Sequence, residues 1–187
     1  MFVDIDNFNT PPYDLPNLEG NATFLDFVER EEKLLLINLL GISLYREFVD
    51  GLLDVVIEQR WLDLRDGADY FNFSKSYAWV GMETMLTPYI YFKWLEYGVD
   101  HTTGVGVVVA NTENSIVNSP VYKLDRAWRE FINYVGNYLQ LENSLYGFLQ
   151  NSGEVYATVY PIDEYSTFQA YLSDRFKFPG TRNIFGL

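Results

Sequence analysis

The 187-residue sequence predicts a mainly α-helical protein. The expected form is a helical bundle with a long helix in its C-terminal half. An extended β-like arm is inserted between helices 3 and 4, and extended arms lie at both ends. Three observations predict this. Apolar residues recur at three- and four-residue steps through four segments, the period of one helix face. Glycine, proline and Ser-Pro signals stand where those segments should start and stop. From Gly98 to Ser119 the helical pattern is lost altogether.

The elements follow in order. Residues 1–20 carry Pro11, Pro12 and Pro16 among Asp and Asn, and read as an extended, loosely held arm. Residues 21–152 form the helical domain, with the inserted arm at about 98–119, and residues 153–187 form a C-terminal arm. The first helix starts near Thr23, with apolar residues recurring at Phe24, Phe27, Val28, Leu34, Leu35 and Leu39 until Gly41 stops it. A second helix starts at Ile42 or Ser43. Leu44, Tyr45, Phe48, Leu52, Val55 and Val56 give its apolar face, and Trp61, Leu62 and Leu64 extend that face to Gly67. Gly51 lies inside this helix and is placed to kink or divide it. An aromatic loop, Tyr70 to Phe73, leads into a third helix over about Ser74–Tyr97, with Pro88 expected to kink it near Thr84. Ser119-Pro120 opens a fourth helix running to about Gln150, roughly 45 Å long. Val155 to Tyr160 could form a short strand.

The inserted arm is the least helix-like stretch. Thr103, Gly104, Val105 and Gly106 break the chain, Val107, Val108 and Val109 extend it, and Asn111 to Ser115 turn it. An apolar extended arm must pair with or pack on something, either its own fold or a neighbouring subunit. The sequence also closes on Asn183 and the apolar Ile184, Phe185 and Leu187, which are suited to docking. These eleven positions are the candidate subunit or partner interface.

Composition narrows the function. The net charge is −13, and aromatic residues make up 18% of the chain, suiting surfaces that assembly covers. Residues 1–32 hold eight acids and one base, whereas Arg175, Lys177 and Arg182 make the far end basic. Strong acidity disfavours nucleic-acid binding, which needs Lys and Arg against phosphate. It does suit a channel that DNA passes through without adhering. There is no cysteine, so disulfides and thiolate chemistry are excluded. No apolar run reaches the length that spans a bilayer, and the acidic, Pro-broken start does not read as a signal peptide. The expectation is a protein made in the cytoplasm, with no membrane role.

Catalytic signals are weak. His101 beside Asp100 could form an acid–base pair, but a polar loop histidine is the better reading. Thr103 to Gly106 does not follow a strand, and Val109 stands where a third glycine is needed, so no dinucleotide site is expected. Glu29, Glu31 and Glu32 read as a solvated helix face. No catalytic residue, metal or cofactor is expected.

Several motifs occur in a telling order: Leu39-Leu40-Gly41, Leu44-Tyr45, Phe48, Gly51-Leu52, Arg60-Trp61, Leu64, Pro88-Tyr89-Ile90-Tyr91, Trp94-Leu95, Thr103 to Gly106, Glu113-Asn114-Ser115, Lys123, Trp128 and the closing Asn183, Phe185-Gly186-Leu187. Together this set resembles the head–tail connector (adaptor, or ring) proteins of crAss-like and related Bacteroides phages. The resemblance implies a non-enzymatic virion component at the head–tail junction, made in the host bacterial cytoplasm. It implies a ring, commonly of about a dozen copies, below the portal protein and above a further ring or tail protein. DNA would pass through the lumen without specific binding. Two other readings stay open: another virion component, such as a tail-completion protein, and a small helical enzyme.

Overall fold

Phe24, Phe27, Val28, Leu35, Leu36 and Leu39 line one face of the first helix and are all buried, whereas Leu34, which the spacing groups with them, is exposed. The computed structural model describes residues 1–15, 22–72, 74–99, 120–136 and 142–152. The protein is mainly helical, as the periodicity predicts. A short 3₁₀ turn at Ile5–Phe8 precedes α1 (Ala22–Leu53), α2 (Gln59–Asp66), β1 (Ala68–Asn72), β2 (Lys75–Trp79), α3 (Met82–Val99), α4 (Pro120–Val135) and α5 (Leu145–Asn151). Gly41 interrupts α1 with φ 75° and ψ 157°, so the expected stop is a kink between two helical halves.

α3 is the spine. Met85 through Phe92 are all buried, Thr87 and Pro88 included, so this helix is covered on every side. It packs against the 3₁₀ turn, α1, α2 and α4. α4 runs antiparallel to it. Tyr89 meets Phe131 at 5.0 Å and Phe92 meets Trp128 at 4.9 Å between ring centres. Ala127, Trp128, Phe131 and Val135 form the buried stripe of α4, while Tyr122, Arg126, Arg129 and Asn133 face solvent. α3 continues as one helix through Pro88.

Several expectations need correction. The aromatic loop and the start of the third helix are instead an antiparallel hairpin, with Tyr70 opposite Tyr77 and Ala68 opposite Trp79. The cause is a pair of glycines at its base. Gly67 (φ +100°) and Gly81 (φ +89°) bring the exit of α2 against the entry of α3. A Cβ on Gly67 would stand 2.5 Å from the Trp79 carbonyl oxygen, and one on Gly81 2.7 Å from that of Asp66. Tyr70 and Trp79 then turn inward onto Phe148 of α5, at 5.9 and 6.2 Å between ring centres.

The second helical segment is not continuous to Gly67. It ends at Leu53, and Trp61 and Leu64 belong to α2. The single long helix in the C-terminal half is also broken. Gly136, at φ 100°, terminates α4, and Ser144 opens α5 by accepting a hydrogen bond from the Gly147 N–H at 3.1 Å.

The N-terminal segment is not a loose arm over its described part. Val3, Phe8 and Leu15 are buried, and the Leu15 N–H donates to the Phe8 carbonyl at 2.8 Å. Phe8 meets Phe24 edge-on at 5.2 Å, and Phe2 stacks on Phe48 at 5.4 Å. Glu32, expected on a solvated face, is 3% exposed. Its carboxylate accepts hydrogen bonds from Phe2 N–H (3.0 and 3.1 Å) and Val3 N–H (2.7 Å). Burial raises its pKa above the ordinary value, while the Phe2 and Val3 N–H groups pull the other way.

The inserted arm at 98–119 falls almost wholly outside the described residues, as does the C-terminal arm at 153–187.

Candidate assembly surface

The turn from α1 to α2 places an apolar tip in solvent. Leu53 is 79% exposed, Val55 103% and Val56 81%. The spacing had put Val55 and Val56 on a buried face. α1 ends before they can reach it. Single exposed hydrophobes are ordinary, but three within four residues at one corner form a patch.

The tip stands on a tightly packed base. Gly51 lies directly under the indole of Trp61, and a Cβ there would fall inside contact distance of the ring. Trp61 is 2% exposed and tilts against Phe48 at 5.9 Å. Arg60 lies over the Trp61 ring at 4.2 Å and pairs with Glu58 at 2.6 Å. Trp61 N–H donates to the Glu58 carbonyl at 3.0 Å, which starts α2. The base of the corner is thus closely packed, and a base already in place lowers the ordering cost of binding.

The hairpin presents a second apolar point. Phe71 is 70% exposed, on the face opposite Tyr70. The hairpin is anchored on its inner side. Trp79 Nε1–H donates to the Leu64 carbonyl at 2.9 Å, Ala78 N–H to Asn143 Oδ1 at 2.8 Å, and Tyr77 hydroxyl to Glu142 at 3.1 Å.

Two polar clefts, each of about 270 Å³, flank the start of α3 and share Glu83. One is lined by Asn7, Tyr13, Thr87, Glu130 and Tyr134, the other by Phe2, Arg65, Asp66 and Val80. In the first, burial and the neighbouring Glu130 carboxylate push the Tyr13 hydroxyl well above its usual pKa. Asn7 Nδ2–H donates to Glu83 Oε1 at 2.7 Å. In the second, hydrogen bonds from Arg65 hold the Asp66 carboxyl below its usual range. These groups offer acceptors and stabilised charge. Among the described residues, no three His, Cys, Asp or Glu side chains come together to hold a metal ion. No helix there is long and apolar enough to cross a membrane.

The residues singled out from the sequence, Thr103 to Val109, Asn183, Ile184, Phe185 and Leu187, lie outside the described residues, as do Asp100 and His101. The corner at Leu53–Val56 escaped the sequence reading because its valines continue the helical spacing of α1. The signal available was Gly51 ten residues before Trp61, a small residue placed to receive a large ring.

No protein-family model, curated protein or solved structure matches this chain.

Proposed function

We propose that this protein is a structural connector of a tailed bacteriophage. It assembles as a ring below the portal, joins the capsid to the tail, and leaves a channel for DNA. The observation that carries the reading is the exposed apolar corner at Leu53, Val55 and Val56, which stands beside the packed Gly51–Trp61 base. A surface rich in apolar side chains suits permanent assembly. The ordered set of motifs resembling phage adaptors is what favours the head–tail junction as its place. The net charge of −13 suits a lumen that repels DNA phosphates.

Native mass over a concentration series, with imaging of any large species, tests the proposal. Closed rings of about a dozen copies are expected, together with the protein's presence at the head–tail junction of purified particles. A protein that stays monomeric and is absent from those particles overturns it.

A further inference from the structure

The corner at Leu53–Glu58 is apolar at its tip and acidic around it. Asp50, Asp54 and Glu58 accompany Leu53, Val55 and Val56, and residues 50–58 contain no Lys or Arg. All six of these side chains are exposed. Elsewhere in the chain, outside the described residues, one segment has the complementary composition. Arg175-Phe176-Lys177-Phe178 alternates cations with aromatic rings, and Arg182 precedes Ile184-Phe185. Asp174 is the only acid from 174 to 187, against three bases.

We infer that the α1–α2 corner of one copy receives residues 175–187 of the next copy. Phe176 and Phe178 cover Val55 and Val56, and Arg175 and Lys177 meet Asp50 and Asp54, while Glu58 stays paired with Arg60. The inference rests on the assembly reading above and names the contact that makes it. Reach is sufficient. Residues 153–174 could span about 75 Å when extended, against a radius of gyration of about 16 Å for a domain of this length. The pairing joins two unlike surfaces, so each copy offers one of each, and the contact repeats head to tail until a ring closes. Its charged part would speed encounter, and its apolar part would slow release.

The absence of cysteine allows a clean test. Full-length protein carrying Val56→Cys is mixed with full-length protein carrying Phe178→Cys and mildly oxidised. A disulfide between the two chains is expected, well above that in either variant alone. Adding Asp50→Lys and Asp54→Lys to the first variant should lower its yield about tenfold. A bond that forms only within one chain carrying both cysteines overturns the inference. A bond indifferent to the charge reversal also overturns it. No bond in a sample that still forms closed rings overturns this contact and leaves the connector reading standing. No bond in a sample that is monomeric throughout overturns this contact, and it removes the connector reading as well if the protein is also absent from purified particles.

Discussion

Val3 N–H donates to Glu32 Oε1 across 2.7 Å, fastening the start of the chain to the middle of the first helix half. Phe2 N–H shares the same carboxylate, and Glu32 is buried. A charge in that position is tolerated because the two N–H groups answer it.

Stability should therefore depend on pH through Glu32. Its folded pKa is raised above the ordinary 4.5 by burial, so the native state holds the proton more tightly than the unfolded chain. The contribution is fully present below 4.5 and is lost as pH rises through the folded value. Denaturant titrations at several pH values should show that loss in the parent protein, about 1.4 kcal/mol per unit of pKa separation. Glu32→Gln should flatten the step. An identical pH profile in the variant would refute this assignment.

Glu32→Ala removes the acceptor as well as the charge. It leaves the Phe2 and Val3 N–H groups without their partner and should cost about 1–3 kcal/mol at neutral pH. Amide exchange at Val3 should rise more than exchange in α4, since only the N-terminal segment loses its tie.

Gly51→Ala pushes a methyl group into the Trp61 ring. Overpacking of this kind costs about 1–3 kcal/mol. Urea midpoints report the cost, and Trp61 fluorescence should shift as the indole moves. Restoring stability with Gly51→Ala combined with Trp61→Leu would confirm that the indole is the obstacle.

Gly81→Ala meets two penalties, a φ of +89° and a Cβ 2.7 Å from the Asp66 carbonyl oxygen. The expected loss is about 1–3 kcal/mol. Trp79→Phe at the same hairpin keeps an aromatic ring but leaves the buried Leu64 carbonyl without its donor, at about 1–2 kcal/mol. Far-ultraviolet spectra should retain the helical signal in both variants.

Val55→Ser with Val56→Ser should do the opposite. Both side chains are fully in solvent, so thermal stability should change by no more than about 0.5 kcal/mol. Native mass should fall to that of smaller species. Assembly that survives both substitutions would remove the corner from the interface.

The helices were legible where one stripe of apolar residues met clear punctuation. Phe24 to Leu39, up to the kink at Gly41, is such a case. In α4 the stripe Ala127 to Val135 was legible but its end at Gly136 was not, because the apolar spacing continues to Tyr138 and Leu139. The hairpin was not legible, because Trp79 fits the three-residue step to Met82 as well as it fits strand alternation with Tyr77. Period alone does not separate the two over five residues. What decides is the paired glycines 67 and 81, and their proximity is a tertiary fact. Glu32 was misplaced for a similar reason. It shares its charge with exposed Glu29, and nothing local shows that the backbone of residues 2 and 3 folds back to meet it. The candidate surface at Leu53–Val56 depended on where α1 stops, which the spacing of Val55 and Val56 conceals.

The antiparallel seam of Tyr89 and Phe92 against Phe131 and Trp128 joins two helices whose connecting chain runs from residue 100 to 119. Because the seam is made of interlocked rings, it does not need the connection to hold it in register. A chain cut once within that connection should stay associated as two fragments. Lengthening the connection twofold should cost only about 0.6 kcal/mol. The segment between α3 and α4 is thus free to vary in length and composition while the helical body stays the same.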